Sequence, residues 1–299
     1  MRTFLLSLFM CSAFALASSG AAAACVVPGR WLEPGQGEAE PAPLLERMSR
    51  KSVVLLGETH NEAAHHVWQL DTLRALHALR PDMVIGLEML PRAAQPVLDA
   101  WVRGELGEDA LFERSRWRQV WGVSSDLYAG IFRFAREHRV PLRALNVERK
   151  VVREVTRVGL AGVPLAGREG VGDPARPLAG YTAWLQQIWG EHMPAGKASA
   201  DGAFARFLDG QLLWDRAMAE ALAGAARANP AALVVGLMGS GHVIHGYGVE
   251  HQLRDLGVTE VGSLLPWDAD GDCGDLVAGV ADAVFGIAPG ERRRAVVPQ

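Results

Sequence analysis

Beyond its first two dozen residues the chain has no long apolar run, very little lysine, and few cysteines or tyrosines. A membrane-spanning helix needs about 20 consecutive apolar residues, and every later Leu/Val/Ala-rich segment is broken by a charge or a glycine. Lysine is confined to Lys51, Lys150 and Lys197, and the one basic run is Arg292-Arg293-Arg294. The cationic stripe that nucleic acid requires is therefore missing. The three cysteines are Cys11, Cys25 and Cys273. Once Cys11 leaves with the N-terminal leader, at most one disulfide is possible. There is no internal repeat and no low-complexity tract. Three tyrosines stand against nine tryptophans, and the tryptophans supply flat apolar surface for a core or a pocket.

The leader itself is legible. Arg2 precedes an apolar run from Phe4 to Ala17, and small residues end at Ala22-Ala23-Ala24. These are the three regions of a secretion signal, Met1–Ala24, and they direct the protein to the periplasm or outer membrane. Removal of Arg2 moves the formal charge from −4 to −5. Cys25 follows the cleavage point, where a lipoprotein would carry a diacylglycerol anchoring it to a membrane. A Cys25–Cys273 disulfide would instead tie the N-terminal arm to the body in an oxidising compartment. The two fates exclude each other, and the sequence leaves both open.

Residues 25–45 are rich in Pro, Gly and Glu and read as a tether. Residues 46–290 then read as one α/β domain. Ser52–Leu56, Met83–Leu87, Pro141–Leu145, Leu233–Met238, Thr259–Leu265 and Ala283–Ile287 are short apolar runs with the character of buried strands. Amphipathic helical patterns separate them, beginning with Asn61–Leu79. This alternation predicts a mostly parallel sheet with helices on both faces. Helical stretches near 108–138 and 180–228 exceed what crossovers need and predict an inserted lid or subdomain.

Polar residues stand where the strands end. Glu58 and His60 follow the first strand, Glu88 the second, Asn146 the third and His242 the fourth. In a parallel sheet all carboxyl ends share one edge, where open α/β sheets place their ligand crevice. These positions should therefore converge. His65 and His66 lie one turn into the first helix, and one of them could face the crevice. His245 and Tyr247 follow His242 in a glycine-flanked loop. Asp268-Ala-Asp-Gly-Asp272 lacks the closing Glu of a calcium loop and reads as an acidic turn.

Taken together, several segments resemble the ChaN-type haem-binding lipoproteins, within a larger group that includes Tiki, TraB and erythromycin-esterase-like proteins. They are Val54–His60 with His65-His66, Gly86–Met89 with Gln95, Leu145–Arg149, Gln211–Ala219, and Gly239–Val243 with Gly246–Val249. The resemblance implies haem binding for iron acquisition, with haem held between the two subunits of a homodimer. It implies an iron ligand at position 245, where the family's Tyr is replaced by His245, with Tyr247 second in line. His65, His66, Asn146 and Arg149 complete the expected cofactor surroundings. Gly248-Val-Glu250 stands where the family has Gly-Val-Pro.

A haem site has no obvious need for Glu58, His60, Glu88 and His242. Two carboxylates and two imidazoles are also the parts of a hydrolase. They could work with a divalent metal, which neutral His and carboxylate ligate, or with Glu as a general base. They could equally brace the sheet edge without any chemistry.

Overall fold

The computed structural model describes residues 25–192 and 202–289. The leader Met1–Ala24, Lys197 and the Arg292–Arg294 run lie outside the described residues. One sheet of eight strands organises the molecule. The strands are β1 (Trp31–Glu33), β2 (Gly37–Ala39), β3 (Val53–Glu58), β4 (Met83–Pro91), β5 (Leu142–Asn146), β6 (Leu233–Gly239), β7 (Val261–Asp268) and β8 (Ala283–Ile287). Their order is β2-β1-β8-β7-β3-β6-β4-β5. Every pairing from β8 through β5 is parallel, and only β1 runs antiparallel to its neighbours β2 and β8.

The central strands are continuous apolar runs because both of their faces are covered. Val54 and Leu56 of β3 join one core, while Val53 and Leu55 join the opposite one. In β6, Leu233, Val235 and Leu237 face the first core, and Val234 and Met238 face the second. Successive side chains point to opposite faces, so a run without polar alternation marks a strand buried twice. The first face is packed by helices α1 (Pro41–Ser49), α2 (Ala63–Leu79), α3 (Gln95–Val102), α4 (Glu108–Arg114), α5 (Trp117–Val120) and α6 (Ala129–Glu137). The other is packed by the second half of the long helix α9 (Ala203–Ala228) and by α10 (Val249–Asp255). Helices α7 (Arg149–Val158) and α8 (Ala179–His192) flank α9 near the carboxyl edge. Among the described residues no helix is long and apolar enough to cross a membrane.

Two expectations are corrected. The tether expected over residues 25–45 is part of the fold: Trp31 is buried, β1 pairs with β8, and α1 begins at Pro41. Three-residue strands at a sheet border bury too little to leave a clear hydrophobic pattern. Lipidation of Cys25 is also displaced, because Cys25 is joined to Cys273 with their Cα atoms 5.2 Å apart. A sulfur in a disulfide cannot carry a thioether lipid. The crosslink fastens the start of the described chain to the loop after the acidic turn.

Candidate functional site

The sheet's carboxyl edge brings the expected residues together. Glu58 ends β3, and His60 follows on the loop, its Nδ1 2.9 Å from Glu58 Oε1. Glu88 does not follow β4, as expected, but lies within it: the strand continues to Pro91 through a register shift beyond Leu87. Such an irregularity re-aims side chains locally. Glu88 Oε2 accepts the Gly239 N–H at 2.7 Å, tying β4 to the end of β6, and Oε1 lies 3.7 Å from His242 Nε2. Gly239 must be glycine here, since a Cβ would stand 2.9 Å from His60 Cε1.

Helices over the edge supply partners that the strand pattern could not reveal. Tyr128, just before α6, donates to Glu58 Oε1 at 2.5 Å and receives the Trp121 indole N–H at 3.3 Å. Asp215 of α9 is fully buried, pairs with His242 Nδ1 at 2.6 Å and accepts from the Tyr181 hydroxyl of α8 at 2.7 Å. The same wiring thus occurs twice, Tyr128–Glu58–His60 and Tyr181–Asp215–His242. In each, a buried carboxylate orients an imidazole through Nδ1 and is itself held by a tyrosine. Gly248 makes room for the second set, because a Cβ there would meet Asp215 Oδ1 at 2.9 Å.

Burial and pairing compete in setting the charges. Burial alone would raise the Glu58 carboxyl, but the His60 hydrogen bond, the electrostatic influence of the His66 and His60 rings and the Tyr128 hydroxyl together hold it below its ordinary value. Burial would lower His60; its bond to Glu58 and the charges of Glu88 and Glu58 outweigh burial and a repelling His242, and raise it. At His242 the negative Asp215 and Glu88 overcome burial and push the ring up to about 9. Both tyrosines are pushed well up, first by burial and then by the adjacent carboxylate, so they remain donors.

The remaining sequence candidates fall in different places. His65 and His66 were expected to be available to a cofactor, but both are buried. His65 Nδ1 accepts the Thr59 N–H at 2.9 Å, and its Nε2 faces Asp268 at 3.6 Å. His66 donates through Nε2 to the His60 carbonyl at 3.0 Å, with Nδ1 3.4 Å from Glu58. Both therefore brace the Glu58–His60 loop. Asn146 is also a latch, donating to the Glu88 carbonyl at 3.1 Å and accepting the Val147 N–H at 2.8 Å. Arg149 donates to the Trp121 carbonyl at 3.2 Å and borders a crevice of about 310 Å³ between Trp121 and Trp214. Those two indoles lie against His60 and His242, with ring centroids 4.5 and 5.2 Å away.

His245 and Tyr247 sit outside this cluster, on the loop after β6. His245 is half-buried and left-handed, with φ 58. Its backbone N–H is fixed to the Val280 carbonyl at 2.8 Å, while its ring makes no hydrogen bond or ion pair among the described residues. The ring lies 5.0 Å from that of Tyr247, which packs against Gly180 and lies 6.0 Å from Tyr181.

No group of three or more His, Cys, Asp or Glu is placed to hold a metal ion among the described residues. A larger apolar groove, about 760 Å³ between α2 and β8, carries no cluster of titratable groups and lies away from these residues.

The residues that sequence reasoning missed are Tyr128, Tyr181, Asp215, Trp121 and Trp214. A usable signal was scarcity, for two of the chain's three tyrosines hold the two buried carboxylates.

Comparison with known proteins bears on the fold and the family. The fold matches a ChaN protein of Campylobacter jejuni, described as binding haem cofacially, with a TM-score of 0.68 at 17% identity over 85% of this chain and 95% of the other. An erythromycin esterase, EreC, in its open conformation gives a TM-score of 0.48 at 13% identity, covering 80% of this chain and 77% of that one. A type III effector gives 0.45 at 11% identity, covering 82% and 91%. No curated protein matches in sequence. The model of the family described as haem-binding uptake, Tiki superfamily, ChaN, matches residues 44–253. The chain belongs to that haem-binding uptake family.

Proposed function

We propose that this protein is an exported haem-binding protein of iron acquisition, in which His245 is the axial base for haem iron. The observation that carries this reading is the His245 imidazole, which makes no hydrogen bond or ion pair among the described residues and stands on a left-handed backbone at the site's outer rim. A non-glycine residue held left-handed costs about 1–2 kcal/mol, and such strain concentrates where a side chain must be aimed. The other imidazoles of the site are engaged: His65 and His66 inside the cluster, and His60 and His242 through Nδ1 to carboxylates.

The surroundings suit haem. A haem site needs an axial base and apolar walls. Tyr247 and Trp184 stand next to His245 and Gly241, and half-buried Trp189, Phe204 and Phe207 continue the aromatic surface along α8 and α9. Bound haem supplies the iron, and imidazole accepts it in either oxidation state whereas phenolate favours the ferric one. A second copy of the chain closing over this aromatic surface would enclose the ligand. The leader Met1–Ala24 supports export, and the Cys25–Cys273 pair is suited to an oxidising periplasm.

Haemin titration followed by absorbance, with size-exclusion chromatography, tests this reading. Wild type should give a saturable Soret band and haem-dependent dimerisation, and His245→Ala should lose or shift the band. An unchanged spectrum in His245→Ala removes His245 from the site.

The doubled Tyr–carboxylate–His wiring favours a second reading, acid–base hydrolysis. His242, charged at neutral pH, would protonate a leaving group, and Glu88 would take the proton from water while His60 steadies the developing charge. Turnover of 4-nitrophenyl esters that disappears in both His60→Ala and His242→Ala would support it.

A further inference from the structure

The crevice beside the two wired histidines differs in kind from the His245 surface. Its volume, about 310 Å³, lies at the lower end of small-molecule pockets, roughly 300–1,000 Å³. A tetrapyrrole with its substituents does not fit inside it. Its interior is apolar, built from Met89, Val147, Trp121 and Trp214. Its mouth carries Arg149 and Arg153, beside a Glu148 carboxylate that also faces Arg116 at 3.9 Å. Arg149 spends one donor on the Trp121 carbonyl, which holds that wall in place. Arg153, one turn further along α7, makes no ion pair among the described residues. The start of α7 opens here as well, and the positive end of its dipole lies at the mouth beside the Glu148 carboxylate.

An apolar slot between two indoles, closed by guanidinium groups, selects a particular chemistry. Indole faces accept flat rings. Guanidinium forks match planar oxyanions, which they bind through paired N–H donors. We infer that this crevice is a binding site for a small planar molecule bearing one carboxylate or phosphate group, separate from the haem surface. The ring would lie between Trp121 and Trp214, and the oxyanion would meet Arg149 and Arg153. Binding does not depend on turnover; where the acid–base reading holds, this is its substrate class, since the same indoles touch His60 and His242.

Calorimetric titration of the full chain with benzoate, phenyl phosphate, inorganic phosphate and neutral benzamide tests it. Benzoate and phenyl phosphate should bind one to one, inorganic phosphate more weakly, and benzamide not measurably. Whichever oxyanion binds more tightly identifies the group preferred. Arg153→Ala, an exposed position that should not disturb folding, should weaken both aromatic anions about tenfold or more and leave haemin titration unchanged. Benzamide binding as well as benzoate, or anion affinity unaltered in Arg153→Ala, overturns the inference. A parallel loss of haem affinity in Arg153→Ala also overturns it, by assigning the cations to haem. Because haem and anion binding are read on the same samples, failure of one is distinguishable from failure of the other.

Discussion

His242 and His245 stand three residues apart in one loop and occupy opposite physical situations. His242 is buried, bonded to Asp215 and charged by two carboxylates. His245 is half-buried, strained and without a hydrogen bond or ion pair to its ring among the described residues. The first ring is worth more to the fold than it can offer a ligand, because its Nδ1 is committed and its surroundings favour the protonated form. The second contributes little to the fold and offers both nitrogens. Residue type alone does not separate a bracing histidine from a ligand; what lies behind the ring does.

The largest effect should come from breaking the inner wiring. Asp215→Ala leaves a charged His242 and the Tyr181 hydroxyl without their buried partner. Removing one member of such a buried pair costs about 3–5 kcal/mol, measurable as a lower urea midpoint. His245→Ala should change that midpoint by less than about 1 kcal/mol, the range expected for a partly exposed residue without partners. Equal losses from the two variants would erase the distinction between the regions.

Next in size is the crosslink. Cys25→Ser with Cys273→Ser should destabilise by about 2–5 kcal/mol, read by thermal or urea unfolding. The loss should leave the haemin spectrum unaltered, since His245 is anchored to Val280 through the backbone.

Stability should also follow pH in a direction set by the inner cluster. His242 is raised from 6.5 to about 9 on folding. The stability it contributes is complete below 6.5 and is lost as pH rises through 9. The Glu58 carboxyl is lowered from 4.5, so its contribution is complete above 4.5 and is lost as pH falls below that value. A stability maximum between these limits is expected, with the alkaline decline weakened in His242→Gln. An alkaline limb that persists undiminished in that variant would assign it to other groups.

The smallest effect sharpens the comparison from the outer side. Replacing His245 by Gly, which adopts φ 58 without steric cost, should relieve strain and stabilise by about 1 kcal/mol while abolishing the Soret band. A stability gain coupled to a loss of ligand is the signature of a residue kept for binding.

Much of this was readable from the sequence, for definite reasons. The six parallel strands announce themselves because burial on both faces leaves unbroken apolar runs such as Val53–Leu56 and Leu233–Leu237. Glu58, His60, Glu88 and His242 could be grouped because parallel strands share one carboxyl edge. The short strands β1 and β2 were hidden because a three-residue strand carries no period. Tyr128, Tyr181 and Asp215 were hidden because they reach the edge from helices, and a helix's own pattern does not say which neighbour its polar residue will meet. His65 and His66 misled for the same reason: a histidine pair at a helix start looks solvated until the strand-end loop folds over it.

Chemical rescue tests the central claim, that His245 supplies the iron ligand, most directly. Haemin is titrated into His245→Gly with and without free imidazole, and the Soret band is followed. The account predicts a weak or displaced band without imidazole and return of the wild-type position as imidazole fills the vacated place. A wild-type band in His245→Gly before any imidazole is added would contradict it.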